Sequence, residues 1–489
     1  MVSPETILNP DNVSTTGNRK GGDKGGFKIR GLRWWIIVLV FMAAVLNYVD
    51  RQTLGTLAPT IQRDLGMDDR HYADVINIFL MAYTVSYLVA GRLADKLGTR
   101  ISLCFFVVWW SCADMLTAAA QGVRSLGAYR FLIGLAEAGV WPTASKAVSE
   151  WFPPRERALA IGIYTMGATV GATLTPYIAI PLAAFPFQEK LPFVHRLLGP
   201  GSGWRMAFIL NGLIGLMWVL PWLMLYRLPR KSKYLREEEL QLIEESAAGE
   251  VKSSSSAAER PWTWGQVLSC RAVWLLLLAR LITDPAWYFY QFWFSKYLNT
   301  ERHLTQDQLK ITWIVYAAAG VGSLLGGWLS GRLIKRGVAP VSSRLWVMLG
   351  CACLLPLSPL IASVSELNVA MALTVVVILA ALAWLINLST IIVDVVPKHS
   401  LGTVFSVVAA GSTMGAIIMN LIVSTMVSGP STKPAGFLDQ ALHTVFGRVL
   451  EAVQGKGYAQ WFLLMAFLHP LAWLLLRFGG VQKLVRPRP

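Results

Sequence analysis

Long runs of apolar residues, almost free of charge, recur along the chain between short polar stretches. Each run is close to the ~20 residues that a helix needs to cross ~30 Å of hydrocarbon. Twelve spans can be drawn, at 34–57, 74–92, 101–120, 126–148, 158–181, 206–226, 272–298, 311–331, 345–364, 367–393, 402–428 and 459–477. The pattern predicts an all-α integral membrane protein with 12 transmembrane helices. The polar connection at 229–270 divides them into two six-helix halves, 31–228 and 271–478. A weak repeat supports the division: Gly91-Arg92-Leu93-Ala94-Asp95-Lys96 follows span two, and Gly331-Arg332-Leu333-Ile334-Lys335 follows span eight. Two halves around a midplane site is the plan of an alternating-access transporter.

The polar segments fill in the outline. Residues 1–30 carry glycine pairs and several lysines, without an apolar core followed by a small-residue cleavage site. They are expected to form a disordered cytosolic tail rather than a signal peptide, and 479–489 a second tail. In the linker, Arg236-Glu237-Glu238-Glu239 predicts a short surface helix and Ser253 to Ser256 a flexible joint. The loop at 182–204 contains His195 but no defensible chemistry. In the 429–458 loop, Phe437, Leu438, Ala441, Leu442, Val445, Phe446, Val449, Leu450 and Val453 share one helical face. That spacing predicts an amphipathic helix lying on the membrane.

Composition narrows the class. Hydrophobic residues make up 54% of the chain, charged residues 15%, and mean hydropathy is +0.49. Soluble domains carry about 25% charged residues, so a water-soluble enzyme is excluded. An even number of spans puts both termini on one side. The basic loops share that side, so both termini are expected in the cytoplasm and the protein in the inner (plasma) membrane. The net charge of +16 fits this topology and contact with anionic lipid. Nucleic acid is not an expected partner, because no basic patch alternates with exposed aromatics in a soluble segment. Cys104, Cys112, Cys270, Cys351 and Cys353 lie in or beside apolar runs without metal-ligand spacing, and read as packing residues. No metal, no cofactor and no catalytic nucleophile–base pair is indicated.

Charge inside the spans carries the functional signal. An ionised side chain at the bilayer centre costs roughly 2.5–3.5 kcal/mol on insertion scales. Asp50 and Arg51 nevertheless end span one, and Arg130 and Glu137 sit in span four. Asp50 follows Trp34 by sixteen residues, or ~24 Å at 1.5 Å per residue; Arg130 is ~6 Å in from the other side. The two can meet. Glu137, seven residues beyond Arg130 on the same face, has no evident fixed cation. Asp50, Glu137 and Arg130 are read as proton-coupling residues, and Arg51, with its planar fork, as the anion ligand. Static ion bridges within the first half are the plainer reading. On span seven, Arg280, Asp284, Trp287, Tyr288, Gln291 and Ser295 form a stripe. Arg280 and Asp284 can neutralise each other one turn apart, and Pro285 is expected to kink the helix. Trp287 offers an apolar wall; Tyr288 and Gln291 offer hydroxyl partners. Asn387, Ser389 and Thr390 on span ten are further substrate candidates, though polar residues there also bond neighbouring helices. Asp114, mid-span in helix three, has no assigned role.

Gly91-Arg92-Leu93-Ala94-Asp95-Lys96-Leu97-Gly98-Thr99-Arg100 resembles the signature loop of the major facilitator superfamily. Three further stretches resemble its anion:cation symporter family: Gly31-Leu32-Arg33-Trp34-Trp35, Asn47-Tyr48-Val49-Asp50-Arg51, and Glu137-Ala138-Gly139-Val140-Trp141-Pro142 with Glu150-Trp151-Phe152-Pro153-Pro154-Arg155-Glu156-Arg157. Arg280-Leu281-Ile282-Thr283-Asp284-Pro285-Ala286-Trp287 resembles the hexuronate transporters of that family. The resemblance implies the major facilitator fold, and proton coupling and anion binding at Asp50, Arg51, Arg130 and Glu137. It adds Tyr48 and Tyr83 to the substrate site and a cytoplasmic gate at Arg92, Asp95 and Arg100. Aldonate relatives tend to place a glutamine on helix five where this chain reads Gly167-Ala168-Thr169, a departure from an aldonate site.

The expectation is a monomeric symporter importing an acidic sugar with protons. Moving one negative charge into a negative interior costs ~2.3 kcal/mol per 100 mV, and one proton removes that cost. A transporter of aldonates or another organic anion, and a membrane-embedded sensor, are the alternatives. A sensor needs an output domain, and the soluble segments are short.

Overall fold

The computed structural model describes residues 28–199, 201–244, 262–396, 400–428 and 454–481. The expected amino-terminal tail, the Ser253–Ser256 joint and the amphipathic helix at 437–453 lie outside the described residues. From the amino terminus come α1 (Leu32–Thr56), α2 (Ala58–Leu65), α3 (Asp69–Thr117), α4 (Val123–Glu137), α5 (Val140–Trp151) and α6 (Pro154–Ala184). Two short helices, α7 (Phe187–Lys190) and α8 (Pro192–Leu198), lead into α9 (Ser202–Leu225). A linker helix, α10, covers 237–244. Then follow α11 (Trp264–Ser269), α12 (Arg271–Phe292), α13 (Phe294–Thr300), α14 (Trp313–Lys335), α15 (Pro340–Leu354), α16 (Ser358–Ser363), α17 (Leu367–Val395), α18 (Leu401–Val427) and α19 (Gly457–Gly479). No strand occurs among the described residues.

The protein is a multi-pass integral membrane protein. Ten helices among the described residues are long and apolar enough to cross a bilayer. The expected spans at 74–92 and 126–148 are helical but not among the ten. The first is the amino-terminal part of α3. The second is divided between α4 and α5, of 15 and 12 residues. Large apolar side chains cover the outer surface, with Met217 68%, Leu324 70% and Phe478 78% exposed. Such a surface requires hydrocarbon rather than water around it.

Local chemistry sets the element ends. Asp68 caps α3 by accepting the His71 amide at 2.8 Å. Pro154 opens α6, where its missing N–H is no loss. The signature stretch expected as a loop is helical up to Gly98, whose φ of 75° breaks the geometry; only glycine takes such an angle freely. At Pro285, where a kink is expected, α12 continues without a break to Phe292, and its end comes at Trp293. The carbonyl that Pro285 cannot serve is that of Leu281, and the backbone of Gly415 on α18 packs directly on it. A neighbouring helix thus shelters the freed group. Gly171 on α6 packs in the same way on the carbonyl of Val45 in α1. Small residues let such helices touch backbone to backbone. Around these contacts α1 lies on α6, α12 on α18, α3 on α4 and α14 on α17.

The linker helix is moored. Glu239 accepts the backbone amides of Leu32 and Arg33 at 3.1 and 3.2 Å, supplying partners for the open amino end of α1. Arg33 pairs with Glu156 at 3.2 Å. On the far side of the linker, the Trp262 amide donates to Ser400 at 2.9 Å.

Polar contacts join the helices before the linker to those after it at the opposite end of the bundle. Tyr72 donates to the Phe292 carbonyl at 2.7 Å, and Asn420 to Asn77 at 2.9 Å. Gln306 donates to the Thr56 carbonyl at 3.0 Å. Lys296 and Asp69 form an ion pair.

Candidate functional site

The charged residues of α1 and α4 converge. Arg51 donates from Nε and Nη2 to one oxygen of Glu137, Oε2, at 2.9 and 2.7 Å. Both side chains are buried. This corrects the expectation that Glu137 lacks a fixed cation: its partner lies 86 residues earlier in the chain. Glu137 ends α4, and the carboxyl end of a helix favours a nearby cation. Just beyond it Gly139 packs against the ring of Phe106, leaving no room for a side chain. Glu137 Oε1 is buried without a hydrogen-bond partner among the described residues.

Aromatic rings enclose the guanidinium. Its central carbon lies 4.6 Å from the Tyr83 ring, 4.9 Å from Tyr48 and 5.4 Å from Phe79. Cation–π attraction holds an arginine this way without neutralising it. Trp141 donates to the Tyr83 hydroxyl at 3.0 Å and packs edge-on against Tyr48. The expected site residues Tyr48 and Tyr83 are therefore both at Arg51.

Asp50 faces the other way, into a second cluster. There it interacts electrostatically with Arg130, Glu137 and Asp114. Asp50, Asp114, Arg130 and Glu137 are all 2% exposed or less. Arg130 also stands 5.1 Å over the Phe208 ring. Neither Asp50 nor Asp114 has an ion-pair partner within 4.0 Å among the described residues. Asp114, unassigned from the sequence, belongs to this cluster. Three carboxyls and two guanidiniums then share one buried region, an imbalance that one added proton removes.

Helices after the linker complete the site. A cavity of about 130 Å³ is lined by Tyr48, Ala168 and Thr169 on one side and by Trp287, Tyr316, Ser323 and Leu385 on the other. Tyr288 interacts with Arg51, Tyr83 and Asp284. Gln291 accepts from Gln52 at 3.0 Å, and Gln52 accepts from Tyr316 at 2.9 Å. Arg280 pairs with Asp284 at 2.9 Å and donates to Ser389 at 2.6 Å. Asn387 donates to the Gly326 and Ala383 carbonyls at 3.0 and 2.8 Å, and Thr390 to its own helix at Ile386, 2.7 Å. The structure thus brings Trp287 and Tyr288 to the aromatic region, while Asn387, Ser389 and Thr390 bond within and between helices.

The gate residues divide. The side chains of Arg92 and Asp95 lie outside the described residues. Arg100 donates to the Leu223 carbonyl and accepts the Trp222 indole at 3.0 Å, which ties α3 to α9. Sequence reading missed Gln52, Trp141, Tyr316 and Tyr87, whose ring packs edge-on against Tyr83 with the two hydroxyls 3.4 Å apart. Trp141 stood within a quoted motif; the other three are marked only by tertiary contact. Among the described residues no group of three or more His, Cys, Asp or Glu side chains is placed to hold a metal ion, and the five cysteines are free, with Cys112 and Cys353 exposed rather than packed inside.

Comparison with known proteins adds to the geometry. The chain is 33% identical over 303 residues to the hexuronate transporter of Escherichia coli (strain K12), a match covering 62% of this chain and 66% of that one. It is 32% identical to the galacturonate transporter of Dickeya chrysanthemi, over 62% of this chain and 83% of the relative. It is 28% identical to the D-galactonate transporter of Escherichia coli O6:H1, over 82% and 91%. Among solved structures, a bacterial homologue of the human lysosomal transporter Spinster, inward-facing and unoccupied, superposes with a TM-score of 0.71 at 18% identity, covering 93% of this chain and 98% of that chain. A D-xylose–proton symporter superposes with a TM-score of 0.65 at 14% identity, over 93% and 98%. All of these relatives and neighbours are named as transporters. The sequence model of the Major Facilitator Superfamily matches residues 40–420, and the chain belongs to that superfamily.

Proposed function

We propose that this protein is a proton-coupled symporter that imports acidic sugars, hexuronates foremost, across the inner membrane by alternating access. Twelve spans in two six-helix halves, with both termini cytoplasmic, supply the frame. The polar contacts opposite the termini then close the outer side, and the conformation is open or opening inward. The relatives named as hexuronate and galacturonate transporters support the substrate class.

The observation that carries the reading is the clamp of Arg51 on Glu137. Two of three guanidinium nitrogens are occupied by one carboxylate oxygen. A proton on Glu137 removes the charge that holds them, and the arginine fork becomes free for a substrate carboxylate. Substrate and proton therefore favour each other, because the acid inside the protein and the acid of the cargo compete for one cation. The buried surplus of one carboxyl gives Asp50 and Asp114 a place in the same relay. Trp287 and Tyr316 form the wall of the cavity against which a sugar ring would lie. A second reading, an aldonate transporter, draws on the D-galactonate relative, whose match covers more of both chains. Ala168 and Thr169 in the cavity lining count against it, since neither replaces a glutamine's two-ended hydrogen bonding.

Glu137→Gln tests the proposal. A permanently neutral side chain leaves Arg51 free for substrate, so counterflow of labelled against unlabelled glucuronate in reconstituted vesicles is expected to persist. Accumulation driven by an imposed pH gradient is expected to vanish. Surviving pH-driven accumulation would move the coupling proton elsewhere. Counterflow by neutral hexoses as fast as by glucuronate would overturn the substrate class.

A further inference from the structure

A groove of about 700 Å³ runs along the outside of the bundle between α14, α15 and α17. It is separate from the site described above and does not depend on the transport reading. Its walls are apolar: Trp328 and Trp346 stand 57% and 61% exposed, and Leu329 and Leu379 lie between them. It exists because α14 and α17 come very close, Gly326 packing on Ala383, while α15 presents Gly350 with nothing within 4 Å of where a side chain would begin. The end of the groove nearest the termini is cationic. Arg332, in the last turn of α14, and Arg336, just past its end, both line it and both are exposed. Neither forms an ion pair among the described residues, whereas Arg344 nearby is held by Asp394 and Ser330. Arg332 rests over the Trp328 ring at 5.5 Å, so its head is fixed at the mouth of the groove.

We propose that this groove seats one glycerophospholipid with an anionic headgroup, its phosphate between Arg332 and Arg336 and an acyl chain along Trp328, Trp346 and Gly350. Length, apolar walls and paired cations at one end only are the shape and charge of a lipid. Basic pockets between membrane helices on the cytoplasmic side take such headgroups, and arginine suits phosphate through its donor fork. A second copy of the chain is disfavoured as the occupant. A two-fold contact would set each copy's Arg332 and Arg336 against the same patch on its partner, with no acid in the groove to offset them.

The test uses the purified full-length chain, stripped of lipid in detergent and examined by native mass spectrometry. Dioleoylphosphatidylglycerol and dioleoylphosphatidylcholine are supplied at equal concentration. One phosphatidylglycerol per chain is expected to be retained, with a preference of roughly thirtyfold over phosphatidylcholine, as two surface arginines near an anionic headgroup provide. The double variant Arg332→Gln/Arg336→Gln is expected to lose the preference while keeping the cavity. Gly350→Phe, which fills the groove and leaves both cations, is expected to lower retention of the phospholipid. Equal retention of the two lipids, or an unchanged preference in the double variant, would overturn the proposal. So would competition by inorganic phosphate as effective as by phosphatidylglycerol, which would make this an ion site. A lipid-free dimer abolished by Gly350→Phe would assign the groove to a second copy.

Discussion

Arg51 offers two nitrogens to a single oxygen of Glu137 and keeps Nη1 outside that clamp. Lysine in its place carries one compact ammonium and cannot serve two acceptors at fixed angles. Arg51→Lys is therefore expected to weaken binding of glucuronate by roughly tenfold or more, measured by calorimetry on the purified protein. An unchanged affinity removes Arg51 from the anion site. That Asp50, Arg51, Arg130 and Glu137 lie buried inside the bundle was legible in the sequence, because each sits in an apolar run where an ionised group is costly. Their pairing was not. Counting residues gives each group's depth along the membrane normal, but not the direction in which it points. Asp50 and Arg51 are adjacent, yet only Arg51 closes on Glu137 with hydrogen bonds, while Asp50 also faces Arg130 and Asp114, the last from a helix where no motif marked it.

At the scale of elements, ten of the expected spans are matched by long apolar helices among the described residues, but hydropathy did not place the breaks. Glycine and proline mark freedom in the backbone, and tertiary contact decides whether it is used. Pro285 lies inside an unbroken helix, with Gly415 packed on the carbonyl it strands, while Gly139, just beyond the end of α4, is held to glycine by the Phe106 ring. Gly171 occupies the equivalent close approach between α6 and α1. Gly171→Leu is expected to force these helices apart, at a cost of about 1–3 kcal/mol or more from overpacking, read as a clear fall in the apparent melting temperature in detergent. Gly162→Leu, on the same helix with open space beside it, is the matched control and is expected to change little. Equal falls in both would show that the close approach is not limiting.

Across the whole molecule, one end of the bundle is fastened by an ion pair and a set of amide and hydroxyl contacts. Individual hydrogen bonds between membrane helices average about 0.6 kcal/mol, so the closure is shared rather than set by one bond. The ion pair is the exception, since removing Lys296 leaves Asp69 without its cation. Lys296→Met is expected to raise the reactivity of a cysteine at Leu57, fully buried behind the contact, toward an impermeant thiol reagent added from outside. The rise is about tenfold for each 1.4 kcal/mol the pair contributes. An unchanged labelling rate would mean that the amide contacts alone keep this end shut. The all-helical, many-spanned outline was visible in the sequence; the contacts that fasten one end were not, because they depend on pairs such as Asn77 with Asn420, 343 residues apart.

The moorings on either side of the linker have a consequence for the covalent chain itself. Glu239 ties the chain to the start of α1, and Trp262 ties it again at Ser400. The chain on each side of the linker is held by a contact of its own. A gene cut between codons 252 and 253 and expressed as two polypeptides is thus expected to yield a complex that copurifies through a tag on either piece. That complex is expected to transport glucuronate at a rate close to that of the intact chain. Fragments cut instead between 236 and 237, which strands the Glu239 tie on the wrong piece, are expected to assemble less well. The protein would then be, in heredity, one gene and, in mechanics, two parts that recognise each other.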